Sequence, residues 1–157
     1  MNQALIDRFK DFVNTHYSNK NLKATDICSN LRCSVSYLRN ILFSIYGYSI
    51  KGYLEYFRIL KAIELICKGE KKVDGMVGYK SAPAFSRAFK KVIKFNVRSL
   101  LTCKSINHKN IVKTILNTKI KNPKKVIENI TKYVLKKIHA SKKQKRQQNT
   151  KNGNLKK

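Results

Sequence analysis

Residues 34–45, S-V-S-Y-L-R-N-I-L-F-S-I, decide the fold. Leu38, Ile41, Leu42 and Ile45 stand at i, i+3, i+4 and i+7, the spacing of a helix with one apolar stripe. Ser36, Arg39, Asn40 and Phe43 repeat that spacing, and at about 100° per residue they point almost directly away from the first set. Ser34 occupies the place of an N-cap. Forty-seven residues on, S-A-P-A-F-S-R-A-F-K-K-V at 81–92 returns the same outline. The core stripe becomes Phe85, Ala88, Phe89 and Val92, the polar front Pro83, Ser86, Arg87 and Lys90, and the cap Ser81. A stripe alone proves only a helix; stripe, cap and front repeated at one offset predict two copies of one unit.

The flanking segments complete the unit. Leu5, Ile6, Phe9, Phe12 and Val13 predict a first amphipathic helix, and Tyr17 to Asn21 a turn. Ile27, Cys28 and Leu31 mark a short second helix just before Ser34. A short helix, a tight turn and a helix with an apolar back and a polar front outline a helix-turn-helix. Between the copies, Tyr53, Leu54, Phe57, Ala62, Leu65 and Ile66 predict one long helix over 50–67, stopped by Gly69.

Charge points to the partner. The 157 residues carry 35 Lys+Arg against 8 Asp+Glu, a net of +27. Such an excess repels itself unless an anion or solvent takes it up: nucleic acid first, an anionic membrane surface second, a solvated lysine-rich face as the plain alternative. It is uneven, +11 over residues 1–101 and +16 over 102–157, where Glu128 is the one acid. Beyond Leu101, Ile111, Val112, Ile115, Leu116 and Ile120 suggest one helix. Asn122–Pro123 then starts another, with Val126, Ile127, Ile130, Val134, Leu135 and Ile138 in its stripe. From Ser141 the chain is Lys/Gln/Asn-rich with almost no apolar residue, and it is expected to be disordered. The domain reading is therefore 1–101, 102–140 as a basic amphipathic helical extension, and 141–157 as a tail. The first part is expected to fold alone.

Other classes find little support. Carboxylates are few and scattered, and no glycine-rich phosphate loop or Ser/His/Asp or Cys/His pattern occurs, so no enzyme is expected. Cys28, Cys33, Cys67 and Cys103 make no C-x-x-C pair, and His16, His108 and His139 are not at zinc-ligand spacing from them. Free thiols in a reducing compartment follow, with no metal and no cofactor. No run of 18 apolar residues and no cleavable signal is present, so a cytoplasmic, nucleoid-associated protein is expected.

Residues 22–66, from L-K-A-T-D-I-C-S-N-L to A-I-E-L-I, resemble the DNA-binding domain of AraC/XylS-type transcription regulators. So do residues 78–92, where Gly78, Tyr79, Phe85, Arg87, Phe89, Lys90 and Lys91 fit the pattern G-[FY]-x-x-x-x-x-F-x-R-x-F-K-[KR]. Arg58, Ala62 and Leu65 match in the connecting helix; the likeness spans about residues 4–101. It implies an all-α fold of two tandem helix-turn-helix units joined by a long helix, here with a basic helical C-terminal extension. It also implies recognition helices at about 35–46 and 82–92, entering successive major grooves of double-stranded DNA roughly 34 Å apart. Met1 stands a few residues before the first helix, as in small members without a sensor domain, so no small-molecule ligand is expected. Control would then rest on expression, turnover or a protein co-regulator, and action on RNA polymerase as an activator. Richness in Lys, Asn and Ile fits AT-rich coding DNA and an acquired gene with a virulence role.

The residues expected at DNA are Ser34, Ser36, Tyr37, Arg39 and Asn40 in the first unit and Ser81, Ser86, Arg87, Lys90 and Lys91 in the second. Arg pairs bidentately with guanine and Asn with adenine, which puts Arg39 and Asn40 first for base contacts. Arg87 suits base or phosphate. Lys90, Lys91 and Lys94 are phosphate contacts or a solvated face, and Phe43 meets a thymine methyl or packs on the connecting helix. Arg58 reads as structural. Four departures from the family pattern stand out. Asp74, followed by Gly75, replaces a small residue in the second scaffold helix, which must then be frayed or shifted unless Asp74 pairs with Lys71 or Lys72. Pro83 lies where a base-facing side chain belongs. Lys94, Asn96 and Val97 replace a closing glycine and a Thr-Pro pair, and Arg32 and Cys33 replace glycine and an aromatic. These departures favour a runner-up, a modulator of weakened specificity acting through protein partners or non-specific nucleic-acid binding. An RNA-associated protein is a third class, without the exposed aromatic platforms it needs.

Overall fold

The computed structural model describes residues 2–117 and 122–154. Among the described residues there are eight α-helices and no strand: α1 Asn2–His16, α2 Ala24–Leu31, α3 Val35–Tyr46, α4 Ile50–Cys67, α5 Ala82–Ile93, α6 Val97–Thr102, α7 His108–Asn117 and α8 Pro123–Asn154. Ile120 of the predicted stripe lies outside the described residues.

Two cores form, and α4 belongs to both. In the first, Ile6, Phe9 and Val13 of α1, Ile27, Cys28 and Leu31 of α2 and Leu38, Ile41 and Leu42 of α3 close on Tyr53, Leu54 and Phe57. In the second, Ile59, Leu60, Ile63 and Ile66 meet Phe85, Phe89 and Ile93 of α5 and Leu100 of α6. Glu64 is the buried charge among the described residues, held by Lys68 at 2.7 Å and Lys61 at 3.2 Å. Burial pushes its carboxyl up, but the two lysines outweigh that and hold it below the ordinary value near 4.5.

The predicted stripes hold with two exceptions. Ile45 is 50% exposed and Leu116 is 59% exposed. The last turn of α3 runs past its core, which Tyr46 closes instead, with its ring 5.7 Å from those of Tyr48 and Tyr53.

The second unit's scaffold helix is frayed to one turn. The Val77 N–H donates to the Val73 carbonyl at 3.1 Å, then Tyr79 donates to Asp74 at 2.9 Å and Gly78 to Gly75 at 3.4 Å. This 6→1 and 5→2 pair, with Gly78 at φ 85°, is a Schellman ending. The segment holds glycine, β-branched Val73 and Asp74, all poor helix formers. Asp74 stays partly exposed, so no unpaired carboxylate is buried. The first unit ends its scaffold helix with the same motif, Cys33 donating to Cys28 and Arg32 to Ser29, but Arg32 supplies the left-handed residue at φ 55°. The glycine that the resemblance leads one to expect there is absent, and arginine takes the left-handed conformation in its place. Lys94 repeats the situation at the end of α5, with φ 70°, where Gly47 serves α3 with φ 75°.

The extension joins the second core. Ile106, Ile111, Ile115, Val126, Ile127, Ile130 and Val134 are buried with Ile59, Ile63 and Phe89, so the core does not stop at residue 101. Asn122 caps α8, accepting the Lys125 N–H at 3.3 Å, and also accepts the Tyr48 hydroxyl at 2.8 Å. Beyond Ser141, where composition predicts disorder, α8 continues unbroken to Asn154. The nucleation cost is already met by the packed turns before it, and Lys, Gln and Arg propagate helix well.

Two outcomes follow. Lys94→Gly and Arg32→Gly are each expected to raise stability by about 1 kcal/mol, read from the denaturant midpoint, because glycine removes the left-handed penalty; a lowered midpoint would contradict the strain. A fragment ending at Cys103 loses seven buried aliphatic side chains, each contributing about 1.5–3 kcal/mol. It is expected to lose amide protection across α5 while keeping it in α1 to α3. Full protection of 82–93 in that fragment would show the extension to be dispensable for the core.

Candidate nucleic-acid interface

The two polar fronts are built alike. Ser34 Oγ accepts the Tyr37 N–H at 3.1 Å and Ser81 Oγ accepts that of Ala84 at 3.3 Å, so each helix starts at a serine cap. With the apolar stripe turned into the core, Ser36, Arg39, Asn40 and Phe43 of α3 stand in solvent, Phe43 with 63% of its surface exposed. On α5, Pro83, Ser86, Arg87 and Lys90 are exposed on the corresponding face. Pro83 falls in the first turn, where its missing N–H costs no helical bond.

The fronts differ in chemistry. That of α3 mixes a guanidinium, an amide, a hydroxyl and an aromatic ring, the groups that discriminate base edges. That of α5 sets a hydroxyl and two cations beyond a proline, without an amide or an aromatic ring, which suits phosphate. Two of the sequence-predicted residues stand apart. The Tyr37 hydroxyl donates to Asn2 Oδ1 at 3.2 Å, which ties its ring to the start of α1. Lys91 Nζ lies 3.4 Å from Glu55 Oε2 on α4, so that cation faces the connecting helix.

Two further caps escaped the sequence reading. Ser49 accepts the Gly52 N–H at 3.1 Å to start α4, and Asn96 accepts the Ser99 N–H at 2.8 Å to start α6. They are 47 residues apart, as are Ser34 and Ser81, and Gly47 and Lys94. Applying that one offset past the end of α3 would have found them.

Arg58 fixes how the units sit. From the middle of α4 its Nε donates to the Tyr17 carbonyl at 2.8 Å and its terminal nitrogen to the Asn19 carbonyl at 2.7 Å. Its guanidinium lies 5.9 Å from the centre of the Tyr79 ring. Burial lowers its pKa from the arginine value, an effect the Tyr79 oxygen opposes. One side chain thus joins the loop after α1 to the turn before α5. Gly78 makes room for it: a Cβ there would lie 2.5 Å from the Tyr17 oxygen and 2.8 Å from Arg58 Nε.

The cysteines are free thiols. Burial, with a smaller effect of Cys33, pushes Cys28 up to about 11, and burial pushes Cys67 up to about 12, so neither is a nucleophile near neutrality. Among the described residues no group of three or more His, Cys, Asp or Glu could hold a metal ion, and no helix is long and apolar enough to cross a membrane.

The architecture is an all-α body of two helix-turn-helix units sharing one long helix. The C-terminal domain of AraT, a response regulator from Geobacillus stearothermophilus, has a similar structure: TM-score 0.60 and 25% identity, over 66% of this chain and 88% of that one. The C-terminal domain of the two-component response regulator yesN from Fusobacterium nucleatum subsp. nucleatum is similar in fold, with TM-score 0.55 and 21% identity, over 59% of this chain and 93% of that one. No protein-family model and no curated protein sequence matches the chain.

Gly78→Ala is expected to cost about 3 kcal/mol, since it adds a left-handed penalty to a clash with backbone that cannot swing away. A drop under about 1 kcal/mol in chemical unfolding would mean that the contact with Arg58 and Tyr17 relaxes freely.

Proposed function

We propose that this chain is a DNA-binding transcription regulator of the AraC/XylS type, in which α3 reads base edges and α5 anchors the second unit chiefly through phosphate. The observation that carries this reading is the pair of serine-capped helices, one offset apart in sequence, each turning an uncharged or basic polar front away from a core shared through α4. The net +27 supplies the long-range attraction. Arg39 and Asn40 are assigned to bases, Ser36 to base or phosphate, Ser34 and Ser81 to phosphate through the N–H groups of the helix starts, and Ser86, Arg87 and Lys90 to the second groove. Tyr37 and Lys91 are assigned supporting roles, given their ties to Asn2 and Glu55. Cytoplasmic action as an activator on RNA polymerase, with or without a protein co-regulator, rests on the family resemblance.

A second reading is favoured by Pro83 and by the frayed turn at Asp74: a modulator whose sequence preference resides in the first unit alone. A site selected from random duplex DNA and mapped by footprinting separates the two, since the main reading expects sequence preference in two half-sites one helical turn apart and the second expects it in one.

Arg39→Ala and Asn40→Ala are each expected to weaken binding to the selected site by about 1–3 kcal/mol, or roughly 5- to 150-fold, and to leave binding to scrambled DNA much less changed. Equal losses on both duplexes would remove the base-reading role.

A further inference from the structure

The last turns of α8 have no structural employment. The helix is held as far as Ser141, whose Oγ lies 3.0 Å from that of Ser105 and 3.7 Å from Cys103 Sγ in the loop between α6 and α7. Tyr133 is held there too, its hydroxyl accepting the Asn107 N–H at 3.1 Å. From Lys142 to Gly153 every residue is exposed. This projecting part, K-K-Q-K-R-Q-Q-N-T-K-N-G-N over 142–154, has five cations, no acid and a single turn-to-turn theme of amides and ammonium groups. At 1.5 Å per residue it reaches about 20 Å beyond its anchor.

A helix that is polar all round, with no core to cover, is stable only if something solvates or pairs its charges. Here the charges oppose one another. Lys142 and Arg146 are i,i+4 neighbours, while Lys142 with Lys145 and Lys143 with Arg146 are i,i+3 neighbours, and like charges at those spacings destabilise a helix. A regular array of phosphates reverses the sign of that interaction, and the glutamines and asparagines between the cations add hydrogen-bond donors to phosphate oxygens. The root decides where the arm goes: α8 packs on α4 and α5 through its earlier turns and leaves the body at the loop between α6 and α7, which follows the second unit in the chain.

We propose that residues 142–154 form a rigid basic arm that lies along the phosphate backbone of duplex DNA flanking the half-site of α5. The inference rests on the proposed function for its location and goes beyond it in adding a third, one-sided contact. A flexible tail of equal charge would attract phosphate in every direction. A helical arm of fixed root extends the contact by about 6 base pairs at 3.4 Å per pair, and on one side only.

The test uses the full chain and two variants. Gln144→Pro breaks the arm while keeping its charge. The combined Lys142→Gln, Lys143→Gln, Lys145→Gln, Arg146→Gln keeps a good helix former at each position and removes four charges. Thermal unfolding of both is expected to match the parent, because the substituted positions lie outside the core. On the selected site, the parent is expected to lose affinity by on the order of tenfold when the flank beside the second half-site is trimmed, and nothing when the opposite flank is trimmed. The four-fold variant is expected to lower the log–log salt slope by about 3 to 4, and Gln144→Pro to abolish the flank dependence with no change in charge. Flank dependence retained in Gln144→Pro, or equal losses from trimming either end, would overturn the arm. Should no preferred site emerge from selection, the regulator reading fails while the arm remains testable on a mixed-sequence duplex. There Gln144→Pro is expected to shrink the occluded length by about 6 base pairs, and an unchanged length overturns the proposal.

Discussion

Everything in this molecule hangs on one helix having to satisfy two cores. An amphipathic helix turns a single stripe inward, but α4 has no such luxury: Tyr53, Leu54 and Phe57 belong to the first core and Ile59, Leu60, Ile63 and Ile66 to the second. A helix apolar on several sides survives in water only when covered on several sides. The coverage comes from α1 and α3 at one end and from α5, α7 and α8 at the other. Burying Glu64 within that helix is tolerable because Lys61 and Lys68 clamp both its oxygens.

Arg58 adds direction to what hydrophobic contact leaves loose. Apolar surfaces slide at little cost, whereas a guanidinium donating to two carbonyls of one loop has a single good seat. That seat exists because Gly78 withholds a side chain, and the seat lies against Tyr79, the next residue of the second unit's turn. The resemblance pattern includes both Gly78 and Tyr79, and the structure supplies a steric reason for the glycine that involves a residue 61 positions away, Tyr17.

Much of this was legible because the helical period and the capping chemistry are local. The stripes of α3 and α5, their serine caps and the 47-residue offset needed no knowledge of the neighbours. Where neighbours decide, the sequence is silent or misleading. Ile45 satisfies the period and is still exposed, since periodicity cannot say where the packing partner ends. Arg32 and Lys94 do not look like left-handed residues, yet the turns they close demand that conformation of whatever side chain stands there. Composition alone marks 141–154 as disordered because it counts apolar residues and ignores the eighteen positions that precede them in the same helix, eleven of them packed or partly packed. In the candidate interface the outward set was legible from geometry, while the ties of Tyr37 to Asn2 and of Lys91 to Glu55 join residues 35 and 36 positions apart and have no local signature.

The shared helix also acts as a phase lock. Each residue of an α-helix advances the chain by 1.5 Å and turns it by about 100°. Because the two units are seated on successive turns of the same continuous helix, inserting or deleting one residue between Phe57 and Ile59 would rotate one unit by more than a quarter turn about the axis of α4, and would tear Arg58 from its carbonyls as well. The relative azimuth of the two units is therefore quantised by the peptide repeat. Substitution can rewrite the side chains on either unit, and the turn before α5 tolerates one more residue between Gly78 and Ser81 than stands between Arg32 and Ser34, but neither offers a gradual route to a different angle between the units.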